Sequence, residues 1–287
     1  MTRGASPRII PLRQRVIFAG LVICSLVATG LVFAQRKGDG LAATIWELAR
    51  KSRFYVAYKL ESKSEPHFSF SYDVISEGKS GQPRVYLFHG LRSDRTYWKL
   101  SPHDELISSL RPLGLQMIAT ELPYASASFF EDNGRSYCSA LFNWFSALRG
   151  DVVAKLGIRE DILVGESWGG LHSLLLAGAF PVSGYIAIHP VVDVSKLSEF
   201  WMISNRGCSP FAVSEVLSGK PGLIVWGNKD FRVDYKDTVN LVSSMSHFQP
   251  NKTSTIIEKG AAHGYTSGTY ESVATWISST FGRGTGR

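Results

Sequence analysis

Ser167 sits in the run Ile162-Leu163-Val164-Gly165-Glu166-Ser167-Trp168-Gly169-Gly170-Leu171, with a glycine two residues away on either side. Residues 161–165 form a short apolar run of the kind a buried parallel strand has, and Leu171, Leu174, Leu175 and Phe180 then follow at helical spacing. A turn tight enough to join such a strand to such a helix lifts the serine hydroxyl above the sheet. It also demands glycine where a side chain would strike neighbouring backbone. The plain alternative is a Gly/Ser turn that merely connects the two elements. Because a serine hydroxyl is a poor nucleophile at neutral pH, the chemical reading requires a histidine base and a carboxylate to orient that base.

Both residue types occur downstream at strand ends. Residues 222–227 read as another buried strand that runs into Asn228-Lys229-Asp230-Phe231-Arg232-Val233, which places Asp230 on the loop at its carboxyl end. Residues 253–258 read as a further strand, and His263 follows on a loop flanked by Gly260 and Gly264. Two rivals for the acid are Asp234, four residues after Asp230, and Asp193 in His189-Pro190-Val191-Val192-Asp193, after the apolar stretch at 184–188. Asp230 is preferred because it directly follows its strand and turn. His189 and Asp193 read as loop residues.

Four motifs, HGLRSD at 89–94, GESWGG at 165–170, GNKDFRV at 227–233 and AAHGY at 261–265, make residues 54–282 resemble the α/β-hydrolase superfamily. Ser167, Asp230 and His263 have that superfamily's chain order of nucleophile, acid and base. The resemblance implies an oxyanion hole built from the main-chain N–H groups of Leu91 and Trp168, with His89 a structural loop residue. It also implies a serine hydrolase working through an acyl-enzyme, with small or medium carboxylic esters as the preferred substrates. One alternative is a peptidase acting on short peptides, since Gly169-Gly170 resembles the elbow of prolyl-oligopeptidase-type and proline iminopeptidase-type relatives. A non-catalytic binding module on the same fold is the other.

The elements that must position these residues follow from the apolar pattern. Residues 54–60 and 68–75 alternate as an antiparallel hairpin. From 84 onward, strands at 84–88, 115–120, 162–165, 184–188, 222–226 and 253–258 alternate with helical stretches. The expected architecture is α/β: a mostly parallel twisted sheet of about eight strands, helices on both faces, and the reactive residues at the carboxyl ends of the strands. A small cap is expected at about 189–221, with Phe200, Trp201, Met202 and Phe211 in it. The second aromatic concentration holds Phe129, Phe130, Tyr137, Phe142, Trp144 and Phe145, and most of these read as helix core.

A 287-residue chain with 44% hydrophobic residues suffices for one such domain and a separate leader. Residues 16–34 carry no charge and follow Arg3, Arg8, Arg13 and Arg15. That pattern reads as a transmembrane anchor with residues 1–15 in the cytoplasm, or as a signal peptide cleaved near Ala34. The length of the run and Arg36-Lys37 behind it favour the anchor. Either version sends the domain out of the cytoplasm, with 35–53 a linker and 283–287 a tail. Four of the 31 Lys and Arg, and none of the 24 Asp and Glu, fall in the first 34 residues, so the remainder is near neutral and a nucleic-acid partner is unsupported. No metal-ligand spacing or nucleotide-binding glycine motif occurs, so neither metal nor cofactor is implied. Cys24 lies in the leader, and whether Cys138 pairs with Cys208 is open at this level.

Overall fold

The computed structural model describes residues 70–282 apart from 92, 124–133, 198–204, 265 and 267. The leader, the expected strand at 54–60, Phe129, Phe130, and the Phe200-Trp201-Met202 portion of the cap lie outside the described residues.

Seven strands form one sheet in the order β1-β3-β2-β4-β5-β6-β7. They are β1 (Tyr72–Ser76), β2 (Arg84–Phe88), β3 (Gln116–Thr120), β4 (Asp161–Glu166), β5 (Gly184–Ile188), β6 (Gly222–Gly227) and β7 (Thr253–Glu258). Each expected strand in the described residues is present, with ends moved by a few residues at most. β1 pairs antiparallel with β3, and the other neighbours run parallel. The helices are α1 (Asp104–Leu110), α2 (Arg135–Leu156), α3 (Trp168–Ala179), α4 (Ser214–Ser218), α5 (Tyr235–Ser246) and α6 (Thr269–Phe281).

The continuous apolar runs of β2 to β6 are explained by burial on both faces. Successive residues of a strand point to opposite sides, so each run feeds two cores. On β2, Val85 and Leu87 enter one core with Leu106 and Leu110 of α1 and Val273 and Ile277 of α6. Tyr86 and Phe88 enter the other, with Leu141 and Trp144 of α2, Leu171 and Leu174 of α3, and Leu241 of α5. Tyr137, Trp144 and Phe145 are core, as their spacing predicts, while Phe211 is exposed. Between β5 and β6, where the small cap is expected, the described chain makes single turns at Val194–Lys196 and Pro210–Val213 before α4. A disulfide joins Cys138 on α2 to Cys208 in this segment, 70 residues apart, a pairing the sequence leaves undecided.

Candidate active site

Ser167 forms the junction between β4 and α3, at φ 56° and ψ −112°. A non-glycine residue resists such a backbone, and it is held here by pairing on both sides. Ser167 N–H donates to Ile188 O at 2.8 Å, and Val191 N–H donates to Ser167 O at 3.1 Å. The flanking glycines are required by close approach. A Cβ on Gly165 would lie 2.0 Å from Gly169 O, one on Gly169 would lie 2.0 Å from Phe88 O, and one on Gly170 would lie 2.9 Å from Pro190 Cα.

Asp230 and His263 arrive from neighbouring strand ends. Lys229 N–H donates to Ala261 O at 2.9 Å, and a Cβ on Gly227 would meet the same oxygen at 2.4 Å, so the loops after β6 and β7 are pressed together. That contact brings His263 Nδ1 to 2.8 Å from Asp230 Oδ2, and His263 Nε2 to 3.0 Å from Ser167 Oγ. Asp230 Oδ1 accepts from the N–H groups of Arg232 at 3.0 Å and Val233 at 2.9 Å. Burial by itself would raise the Asp230 carboxyl, but the adjacent His189 imidazole and the hydrogen bonds from His263 and the Val233 amide hold it well below the usual carboxylate range. An ionised carboxylate only accepts, so His263 donates from Nδ1 and turns the lone pair of Nε2 toward the serine hydroxyl.

Of the rival acids, neither approaches the histidine. Asp234 caps α5, accepting from Lys236 N–H at 3.1 Å, and Asp193 accepts from Ser195 N–H at 2.9 Å and from its hydroxyl at 2.6 Å. Both are cap residues, a use of aspartate that chain position alone does not reveal.

His89-Gly90-Leu91 leaves the end of β2 beside the serine, and a Cβ on Gly90 would stand 3.8 Å from Ser167 Cβ. His89 fixes this loop: its Nε2 accepts from Leu122 N–H at 3.1 Å, which leaves Nδ1 to donate to Gly90 O at 2.8 Å. Burial lowers its pKa, in keeping with a neutral structural histidine. Trp168 opens α3 with its ring buried against Tyr137, centroids 5.8 Å apart. Behind it, His172 donates from Nδ1 to Trp168 O at 2.7 Å and accepts from Tyr137 Oη at 2.6 Å, with burial pushing its pKa down to about 3.

Two residues that the sequence does not mark as part of the site complete the cluster: His189, which reads there as a loop residue, and Glu258. His189, directly after β5, places Nδ1 3.5 Å from Asp230 Oδ2 and Nε2 2.9 Å from Glu258 Oε2, at the end of β7. The available signals were a histidine between a buried strand and a proline, and a glutamate closing a strand. Ligating atoms of His189, Asp230 and His263 all lie within 4.8 Å of one another. The Asp230–His263 contact is nevertheless at hydrogen-bond distance, and a metal seated there would have to displace the proton that joins them.

No family model matches the sequence, and no curated protein does. Solved structures do match its fold. Esterase PE8 superposes with a TM-score of 0.58 at 17% identity, over 74% of this chain and 99% of its own. For the Pyrococcus furiosus esterase Pf2001 the TM-score is 0.55 at 15% identity, over 75% of this chain and 93% of its own. For a monoacylglycerol lipase of Paleococcus ferrophilus it is 0.50 at 16% identity, over 76% and 100%. At such identities the likeness speaks for architecture alone, and together with the strand order and the strand-to-helix junction at Ser167 it identifies the chain as having the α/β-hydrolase fold.

Proposed function

We propose that the protein is a serine hydrolase that cleaves small or medium carboxylic esters through an acyl-enzyme. The carrying observation is the hydrogen-bonded line Ser167 Oγ, His263 Nε2, His263 Nδ1, Asp230 Oδ2, with contacts of 3.0 and 2.8 Å. In this reading Ser167 Oγ attacks the ester carbonyl while His263 Nε2 takes its proton. The oxyanion that forms faces the main-chain N–H groups of Leu91 and Trp168. Its collapse breaks the bond to the alkoxy oxygen, and the alcohol leaves with the proton from His263. Water then repeats the sequence on the acyl-enzyme and releases the acid. Asp230 holds the imidazole tautomer throughout.

The ester reading is supported by the solved neighbours, which are named as esterases and a lipase. The peptidase alternative leans on Gly170, and the tight packing of that glycine on Pro190 accounts for it without reference to substrate. A panel of p-nitrophenyl esters and matched anilides tests the assignment. The expected result is turnover of short- and medium-chain esters that Ser167→Ala abolishes. Preferential anilide cleavage would move the protein to the peptidases, and no turnover of either would favour a binding module.

We place the domain outside the cytoplasm, carried there by residues 16–34 as anchor or signal peptide. The Cys138–Cys208 disulfide supports this placement, because such bonds persist in oxidising compartments.

A further inference from the structure

The charged groups around Asp230 do not end at His263. Among the described residues two non-glycine residues have positive φ: Ser167, and His189 at φ 45°. Backbone of that kind persists only where the surroundings impose it, and it gathers at functional sites. His189 N–H is fixed on Val225 O at 2.7 Å, and the ring is fully buried. It lies between two carboxylates, with Nε2 2.9 Å from Glu258 Oε2 and Nδ1 3.5 Å from Asp230 Oδ2. Glu258 is fixed in turn: its Oε1 accepts from Thr266 Oγ1 at 2.9 Å and from Thr269 Oγ1.

We infer that His189 is a positioning residue for the Asp230–His263 pair, standing as an imidazolium between Glu258 and Asp230. The inference rests on the reading of Ser167, Asp230 and His263 as the reactive line. Oδ1 of Asp230 is already held by two backbone amides, so Oδ2 is the oxygen that must be aimed. It is bracketed by His263 Nδ1 at 2.8 Å and His189 Nδ1 at 3.5 Å, with the two rings edge to face at 5.9 Å. A positive charge at that distance opposes a second one on His263.

Each neighbouring element contributes to this balance. Glu258 comes from β7, Asp230 from the loop after β6, and His263 from the loop before α6. Glu166, the last residue of β4, sits beside Ile188 in register, with its carboxylate accepting from Tyr270 Oη at 2.9 Å. Lys229 and Arg232 flank Asp230 along its loop. Burial works against charge on His189, while the carboxylates of Asp230 and Glu258 beside it raise its pKa to about 9. A rival arrangement exists, because Gly227 N–H points at His189 Nδ1 from 3.3 Å. In that arrangement the ring is neutral and its Nδ1 is only an acceptor.

The pH dependence of kcat/KM for an ester separates the two, since its acid limb follows deprotonation of His263. His189→Gln removes the nearer positive charge, and the limb is expected to move up by about one pH unit. The double variant His189→Gln/Glu258→Gln leaves no lone carboxylate buried, and its limb is expected to move in the same direction. With a neutral His189, the single variant would leave the limb in place and the double variant would shift it down. Either of those results overturns the inference, as does a fall in kcat/KM with an unmoved limb, which is the mark of a merely structural role. Should the variants fail to fold, imidazole 15N NMR of the unsubstituted protein at pH 7 decides the matter. The imidazolium signature at His189 is expected, and a neutral tautomer overturns the inference. If the protein neither turns over esters nor carries a reactive Ser167, the functional reading has failed, and the NMR arm still reports the charge on His189.

Discussion

Two polar clusters are buried at opposite ends of the same sheet, one where the strands begin and one where they finish. At the first, Arg84 opens β2 opposite Gln116 of β3 and Asp161 of β4. Its Nε donates to Gln116 Oε1 at 2.6 Å, Nη2 donates to Gly157 O at 2.5 Å, and Nη1 lies 3.4 Å from Asp161 Oδ1. Arg149 closes the group on Asp161 Oδ2 at 2.6 Å. These charges answer one another on ordinary strand backbone. At the finishing end, the backbone of Ser167 and His189 is forced to positive φ, Asp230 is shared between two histidines, and the ring of His263 remains partly open to solvent. Burying charge joins strands in one place and, under the proposed function, holds a proton acceptor ready in the other.

The two ends differ most in what a change at Asp230 is expected to do. Asp230→Asn is expected to lower kcat by about 10⁴-fold through the wrong imidazole tautomer. Asp234→Asn and Asp193→Asn should cost only helix or turn caps and leave turnover nearly intact. The reverse ranking in steady-state assays would move the acid elsewhere.

At the other end, Arg84→Met leaves a buried carboxylate with one partner fewer. A loss of about 3 kcal/mol of stability is expected in denaturant titration, with kcat/KM of the folded fraction unchanged. A catalytic defect without loss of stability would mean that the two clusters are not separate in role.

The smallest expected effect is the dependence of stability on pH. The folded pKa values of Asp230 and Glu258 are lowered, so their contribution is complete above the ordinary carboxylate range and is lost as pH falls below about 4. The pKa of His189 is raised, so its contribution is complete below its unfolded value and is lost as pH rises toward about 9. Melting temperature should therefore fall on both sides of neutrality, and His189→Gln should flatten the alkaline side.

Much of the finishing end can be read from the chain, because glycines forced by close approach and a histidine between glycines leave marks in sequence. The strands are legible for a related reason: burial on both faces makes every position of β2 to β6 apolar or small, apart from polar residues at the strand ends. Glu258 and Arg84 escape notice because their residue types are ordinarily exposed, and His189 reads from sequence only as a loop residue; the fold alone shows that Arg84 meets Asp161 across the β2–β4 pairing and that Glu258, at the end of β7, meets His189 just beyond β5. The Cys138–Cys208 pairing is hidden for the same reason, since a separation of 70 residues says nothing about distance in space.

Leader and domain can be set against each other as well. Full-length protein expressed in a bacterial host is expected to sediment with membranes and resist carbonate extraction if residues 16–34 stay attached, or to begin near Gln35 and be soluble if they are cleaved. A soluble, uncleaved cytosolic product would contradict both.

The proposed function places a reactive serine at the strained end of the sheet. Treatment with a fluorophosphonate followed by peptide mapping tests it directly. A single adduct on Ser167 is expected in the unsubstituted protein, and none in Ser167→Ala at an unchanged melting temperature. Labelling that persists in Ser167→Ala, or an adduct on any other residue, would contradict it.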